Sequence, residues 1–133
     1  MNARRLAREQ ALQVLYSVVI GDRAPSDALS DVVGEDADVR QRAFVEDLAL
    51  GTLEYAEKAD RIVSPLLEGW AIERLPTIDR LVLEMATFEL HCRPETPTAV
   101  AINEAVALAK RFSTEDSGRF VNGVLSAVAN AKT

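Results

Sequence analysis

Apolar residues recur three and four positions apart along nearly the whole chain, and this spacing confines the fold to packed α-helices. Ala7, Ala11, Val14, Leu15 and Val18 line one face of a first helix, which should stop near Gly21, ahead of the turn-like Pro25 and Ser26. Residues 26–33 fit a short helix, and Gly34 to Asp38 an acidic loop. A longer helical stretch starts near Asp38. Phe44, Val45, Leu48, Leu53, Ile62, Val63, Leu66 and Leu67 are its candidate core positions; a bend or break is expected in it, Gly51 would permit close packing of a neighbour, and Pro65 would disrupt the backbone ladder if it lies inside a helix. Trp70 and Leu75 are expected to pack in the connection before Pro76.

The second half is punctuated more sharply. Thr77 reads as an N-cap and Asp79 as a first-turn anion that suits the helix dipole. Ile78, Leu81, Val82, Met85 and Glu89 share one face, with Leu90 beside it, and this helix should end before Pro94. Pro97 opens another helix, whose apolar surface is Val100, Ile102, Ala105, Val106, Ala109 and Phe112. Ser113-Thr114-Glu115-Asp116 matches the Ser-x-x-acid capping pattern ahead of a last helix carrying Val121, Val124, Leu125 and Val128. Because the surrounding period is helical, Gly123 reads as a close packing site rather than a hairpin residue. The expected architecture is an all-α, compact bundle of six to seven helices forming a single domain over residues 1–133.

The side chains that carry most chemistry are scarce. Cys92 and His91 are the only residues of their types, which excludes an internal disulfide, a cysteine-based zinc site and most His-dependent metal or triad chemistry. Neighbours on a helix point in different directions, so His91-Cys92 is a poor nucleophile pair. Neither GxGxxG nor GxxxxGK[ST] occurs, and Ser17, Ser64 and Ser117 lack a hydrolase elbow. The chain is expected to be no enzyme, with no catalytic residue, metal or cofactor. The polar, basic first residues do not form a signal peptide, and no segment reaches the roughly 18 apolar residues of a membrane span, so a cytoplasmic protein with no membrane association is expected.

Net charge is −6, which argues against unselective coating of nucleic acid. Its distribution is uneven. Arg4, Arg5 and Arg8 precede any acid, whereas residues 22–60 hold eleven acids against four bases. Arg119 precedes Phe120, and Lys110 and Arg111 precede Phe112, so two basic-aromatic steps flank one short connection. Arginine pairs with phosphate and stacks on bases, and aromatic rings stack on splayed bases. Composition and spacing alone favour the plainer alternative, in which the bases are solvated and Phe112 and Phe120 anchor the core.

Several segments resemble the NusB family of transcription antitermination proteins. Arg4-Arg5-Leu6-Ala7-Arg8, followed by Ala11, Leu12 and Leu15-Tyr16, is similar to that family's basic N-terminal helix. Asp79-Arg80-Leu81-Val82-Leu83 with Phe88-Glu89-Leu90 resembles its central helix. Val100 to Val106, then Leu108-Ala109-Lys110, Phe112 and Phe120-Val121-Asn122-Gly123-Val124-Leu125, form the most specific match.

The resemblance implies two packed helical subdomains. It also implies binding to the boxA element of nascent ribosomal RNA transcripts as a heterodimer with the small-subunit ribosomal protein NusE, within an RNA polymerase antitermination complex. The resemblance also leaves room for self-association to a homodimer. The same resemblance assigns RNA contact to Arg4, Arg5, Arg8, Phe112, Asp116, Arg119 and Phe120, and partner contact to Tyr16, Glu73, Asp79 and Arg80. Asp116 would accept a hydrogen bond from a base or cap the last helix, and the cap is the stronger reading from its position. Glu84 stands where many relatives carry Arg, and Phe88 where they often carry Tyr. The competing function is a helical protein-interaction module without direct RNA binding.

Overall fold

Helix boundaries follow the local punctuation. The computed structural model describes residues 3–131, which form six α-helices and no strand: α1 (Ala3–Val19), α2 (Pro25–Val33), α3 (Val39–Val63), α4 (Thr77–Cys92), α5 (Thr98–Phe112) and α6 (Glu115–Ala131). Pro25 occupies the first turn of α2, where its missing N–H leaves no bond unmade. Gly34 stops that helix at φ 83°, a left-handed value that glycine reaches without strain. The Asp38 carboxylate then caps α3, accepting the backbone N–H groups of Arg40 at 2.8 Å and Gln41 at 3.2 Å.

Four expectations change. Helix α3 runs unbroken through Gly51 for 25 residues. Pro65 lies just past its end, in the 3-10 turn Ser64–Leu66, so its ring disturbs no helical ladder. Thr77 is the first residue of α4 rather than its cap, a position held by Pro76. At α6 the cap is Thr114 rather than Ser113 or Asp116, because the Ser117 N–H donates to Thr114 Oγ1 at 3.0 Å. Gly123 is exposed, and a Cβ there would meet nothing within 4 Å; the close packing occurs at buried Gly118, where a Cβ would lie 2.6 Å from Lys110 Cγ.

The chain divides into two compact units, the first ending at Glu54 and the second beginning at Tyr55. In the first, α1 packs on α2, and buried Ala7, Ala11, Leu12, Val14, Leu15, Ala28, Leu29, Val45 and Leu48 supply the core. In the second, α5 and α6 form an antiparallel pair, and each packs against α4. Every residue of α4 from Leu81 to Leu90 is buried, so this helix is the centre of its unit rather than the one-sided element its spacing suggests. Among the described residues no helix is long and apolar enough to cross a membrane.

Candidate nucleic-acid interface

The three N-terminal arginines do not share one environment. Arg4 and Arg5 are exposed, whereas Arg8 is only 5% exposed. The half-buried ring of Phe44 on α3 lies beneath two of them, 4.0 Å from the Arg4 guanidinium and 5.4 Å from that of Arg8. Phe44, expected as a core anchor, therefore orients the basic arm. Arg8 offers its positive field from behind the surface and little of its side chain to a ligand.

The second group of side chains is set by the turn between α5 and α6. Ser117 Oγ donates to Asp79 Oδ2 at 2.9 Å. That uses its one proton, so the hydroxyls of Ser113 at 2.9 Å and Thr114 at 3.0 Å donate to Ser117 Oγ. The turn is thereby tied to the first turn of α4. On its outer side Asp116 pairs with Arg119, and both are exposed. Phe112 and Phe120 are half-buried, neither lost in the core nor fully solvated, and the Arg111 guanidinium lies 5.2 Å from the Phe112 ring. Residues 110–120 thus carry bases and partly open aromatic faces together. Asp116, expected as a helix cap, instead holds Arg119.

Spacing missed Trp70. It was expected to pack in the connection, yet it is 62% exposed. Gly69 precedes it at φ 87°, a turn that takes the chain out of the core, and the short 3-10 turn Ile72–Arg74 follows. The readable signal was the Gly-Trp step itself, a glycine hinge directly before a large ring.

The residues assigned to a protein partner are also unequal. Tyr16 and Glu73 are exposed and Arg80 is half-buried, but Asp79 is 4% exposed and committed to Ser117. Asp79 therefore presents no surface of its own and positions its neighbours. Arg80 Nη2 meets Asp60 Oδ2 at 2.9 Å, and Arg80 Nε lies 3.5 Å from buried Glu84. Burial, reinforced by Asp60 and opposed by Arg80, pushes the Glu84 carboxyl up to about 8. Glu84 thus belongs to an interior polar cluster. Phe88 is buried as well, edge-on to Tyr55 at 5.9 Å and beneath the Arg93 guanidinium at 4.7 Å. A free Cys92 thiol adjoins Tyr55, whose hydroxyl is pushed up by burial and by that thiol.

Among the described residues no group of three or more His, Cys, Asp or Glu side chains is placed to hold a metal ion. The class this geometry defines is an all-helical protein that carries exposed basic and half-buried aromatic side chains at helix ends. Residues 5–130 match the NusB family, and the chain belongs to that family. It is 40% identical over 128 residues to the transcription antitermination protein NusB of Halalkalibacterium halodurans, covering 96% of this chain and 94% of that one. Its fold superposes on NusB of T. maritima with a TM-score of 0.86 at 32% identity, covering 98% of this chain and 92% of that one. It also superposes on a structure of the antitermination factors NusB and NusE in complex with double-stranded RNA, with a TM-score of 0.87 at 28% identity and 98% coverage of both chains.

Proposed function

We propose that this chain is a transcription antitermination factor that binds the boxA element of nascent ribosomal RNA as a heterodimer with ribosomal protein NusE. It would act in the cytoplasm within an RNA polymerase antitermination complex, as a single domain with no catalysis of its own. Arg119 beside half-open Phe120 carries the reading, since a cation and a ring on one exposed helix start suit a phosphate and its base. Arg4 and Arg5 supply salt-sensitive phosphate contacts, and Arg8 adds charge from beneath. Asp116 orients Arg119, and Phe112 offers a second ring. Tyr16, Glu73 and Arg80 face the protein partner, with buried Asp79 holding the start of α4 to the α5–α6 turn through Ser117. Kinship with proteins named for antitermination, and likeness to a NusB–NusE–RNA assembly, support the reading. A net charge of −6 fits a protein that needs a partner to complete its RNA surface.

The test is binding of boxA RNA and of a scrambled RNA, each with and without NusE. NusE should raise affinity for boxA selectively; equal, weak binding of both RNAs under both conditions overturns the proposal. The burial of Arg8 favours the second reading, a helical interaction module without direct RNA contact. Unchanged boxA affinity in a folded Arg4→Ala, Arg5→Ala, Arg119→Ala variant would establish it. A homodimer that covers the basic arm would appear as RNA affinity that falls with rising protein concentration.

A further inference from the structure

We propose that Trp70 is a stacking residue for an unpaired RNA base, extending the nucleic-acid surface from the α5–α6 turn into the groove beside it. The inference rests on the RNA-binding reading above and adds to it a residue and a path. Trp70 stands 62% exposed at the rim of a surface groove of about 560 Å³, within the roughly 300–1,000 Å³ usual for ligand clefts. Arg119 and Phe120, the two side chains that begin the exposed face of α6, line the same groove. A single turn further along α6, Gly123 leaves its floor open, because a Cβ there would meet nothing within 4 Å.

The chemistry of the lining favours a nucleotide. Trp70 and Phe120 offer two ring systems, and a base stacks on such faces whatever its identity. Arg119 supplies the cation, and its present partner, Asp116, is an exposed surface carboxylate that a phosphate can replace at small cost. Glu68, also on the lining, would repel a phosphate but accepts hydrogen bonds from the exocyclic amines of adenine, cytosine or guanine. Phosphate at Arg119 and base over Trp70 therefore orient the strand along the groove. Arg119 and Phe120 belong both to this lining and to the start of α6, which follows the turn after Arg111 and Phe112. An apolar protein segment would make no use of the charges of Arg119 and Glu68 on the lining.

Trp70 is the only tryptophan of the chain, so its fluorescence reports this groove alone. The full chain, with NusE present, is titrated with single-stranded boxA RNA, following tryptophan emission of the heterodimer and, separately, anisotropy of labelled RNA. NusE alone provides the emission baseline. Stacking predicts quenching that saturates together with the anisotropy. Trp70→Ala should weaken binding by ~10-fold, and Trp70→Phe should recover most of that loss. Circular dichroism of Trp70→Ala should match the parent, since the ring is exposed. RNA binding by anisotropy with unchanged emission and an unaltered Trp70→Ala affinity overturns the inference while leaving the RNA reading intact. A blue shift on adding NusE, with no further change on adding RNA, assigns the groove to protein and also overturns it. No RNA binding by either signal overturns both.

Discussion

Ser117 Oγ donates to Asp79 Oδ2 across 2.9 Å, joining the first turn of α6 to the first turn of α4 between residues 38 positions apart. Both side chains are buried, and Asp79 Oδ1 has no other partner. Removing the hydroxyl would leave a buried carboxylate without its donor, so Ser117→Ala should cost about 1–3 kcal/mol, more than an ordinary surface substitution. Asp79→Asn keeps an acceptor, carries no charge, and should cost less. Urea denaturation of the two variants checks the order. A larger loss for Asp79→Asn than for Ser117→Ala would mean that the charge of Asp79, and not this hydrogen bond, stabilises the junction.

The arginines of α1 should separate by phenotype. Arg8→Ala removes a buried side chain and its stacking on Phe44, which predicts a stability loss of about 1–2 kcal/mol. Arg5→Ala acts at the surface. It should leave stability within roughly 0.5 kcal/mol, while lowering RNA affinity and reducing the salt slope by ~1. Thermal melts paired with binding at two salt concentrations distinguish them. Equal melting temperatures for both variants would return Arg8 to the surface.

The two glycines of α6 supply a control for packing. Gly123→Ala meets open space and gains helix propensity, so it should stabilise by about 0.5–1 kcal/mol. Gly118→Ala must displace Lys110, whose Cγ and Cε would lie 2.6 and 2.8 Å from the new atom, and would disturb its 4.0 Å approach to Glu115. That displacement offsets the propensity gain. The melting temperature of Gly118→Ala should fall below that of Gly123→Ala, and the reverse order would contradict the packing described.

These contrasts also mark what the sequence could and could not reveal. The stops of α2 at Gly34 and of α4 ahead of Pro94 were legible, because proline and glycine act through their own backbone. The fold class was legible because a 3.6-residue period needs no partner to be seen. Burial was harder, since it depends on which distant element arrives. Arg8 is buried in company with Phe44, 36 positions away, and no spacing rule links the two. Trp70 is exposed because the chain turns outward at Gly69, against the usual preference of large rings for the interior. Sequence does not separate Ser113 from Thr114 as the cap of α6, because both hydroxyls are competent; the folded chain brings Thr114 Oγ1 to the Ser117 N–H.

Glu84 makes stability depend on pH near neutrality. Burial, reinforced by Asp60, raises its folded-state value to about 8, whereas in the unfolded chain it titrates as an ordinary glutamate near ~4.5. Between those values the folded protein holds a proton that the unfolded chain has released. Stability linked to this group is therefore full below ~4.5 and declines as pH rises towards about 8, by at most ~1.4 kcal/mol per pH unit. Glu84→Gln mimics the protonated form at every pH, so it should stabilise the protein at pH 8, matter little at pH 5, and flatten the slope between them. Arg80 opposes the shift through its 3.5 Å contact, so Arg80→Ala should raise the Glu84 value further and steepen the decline above neutrality. Urea midpoints of the three proteins measured from pH 5 to pH 9 decide the matter. Parallel curves for the parent and Glu84→Gln would mean that Glu84 is ionised throughout, held by Arg80 despite its burial.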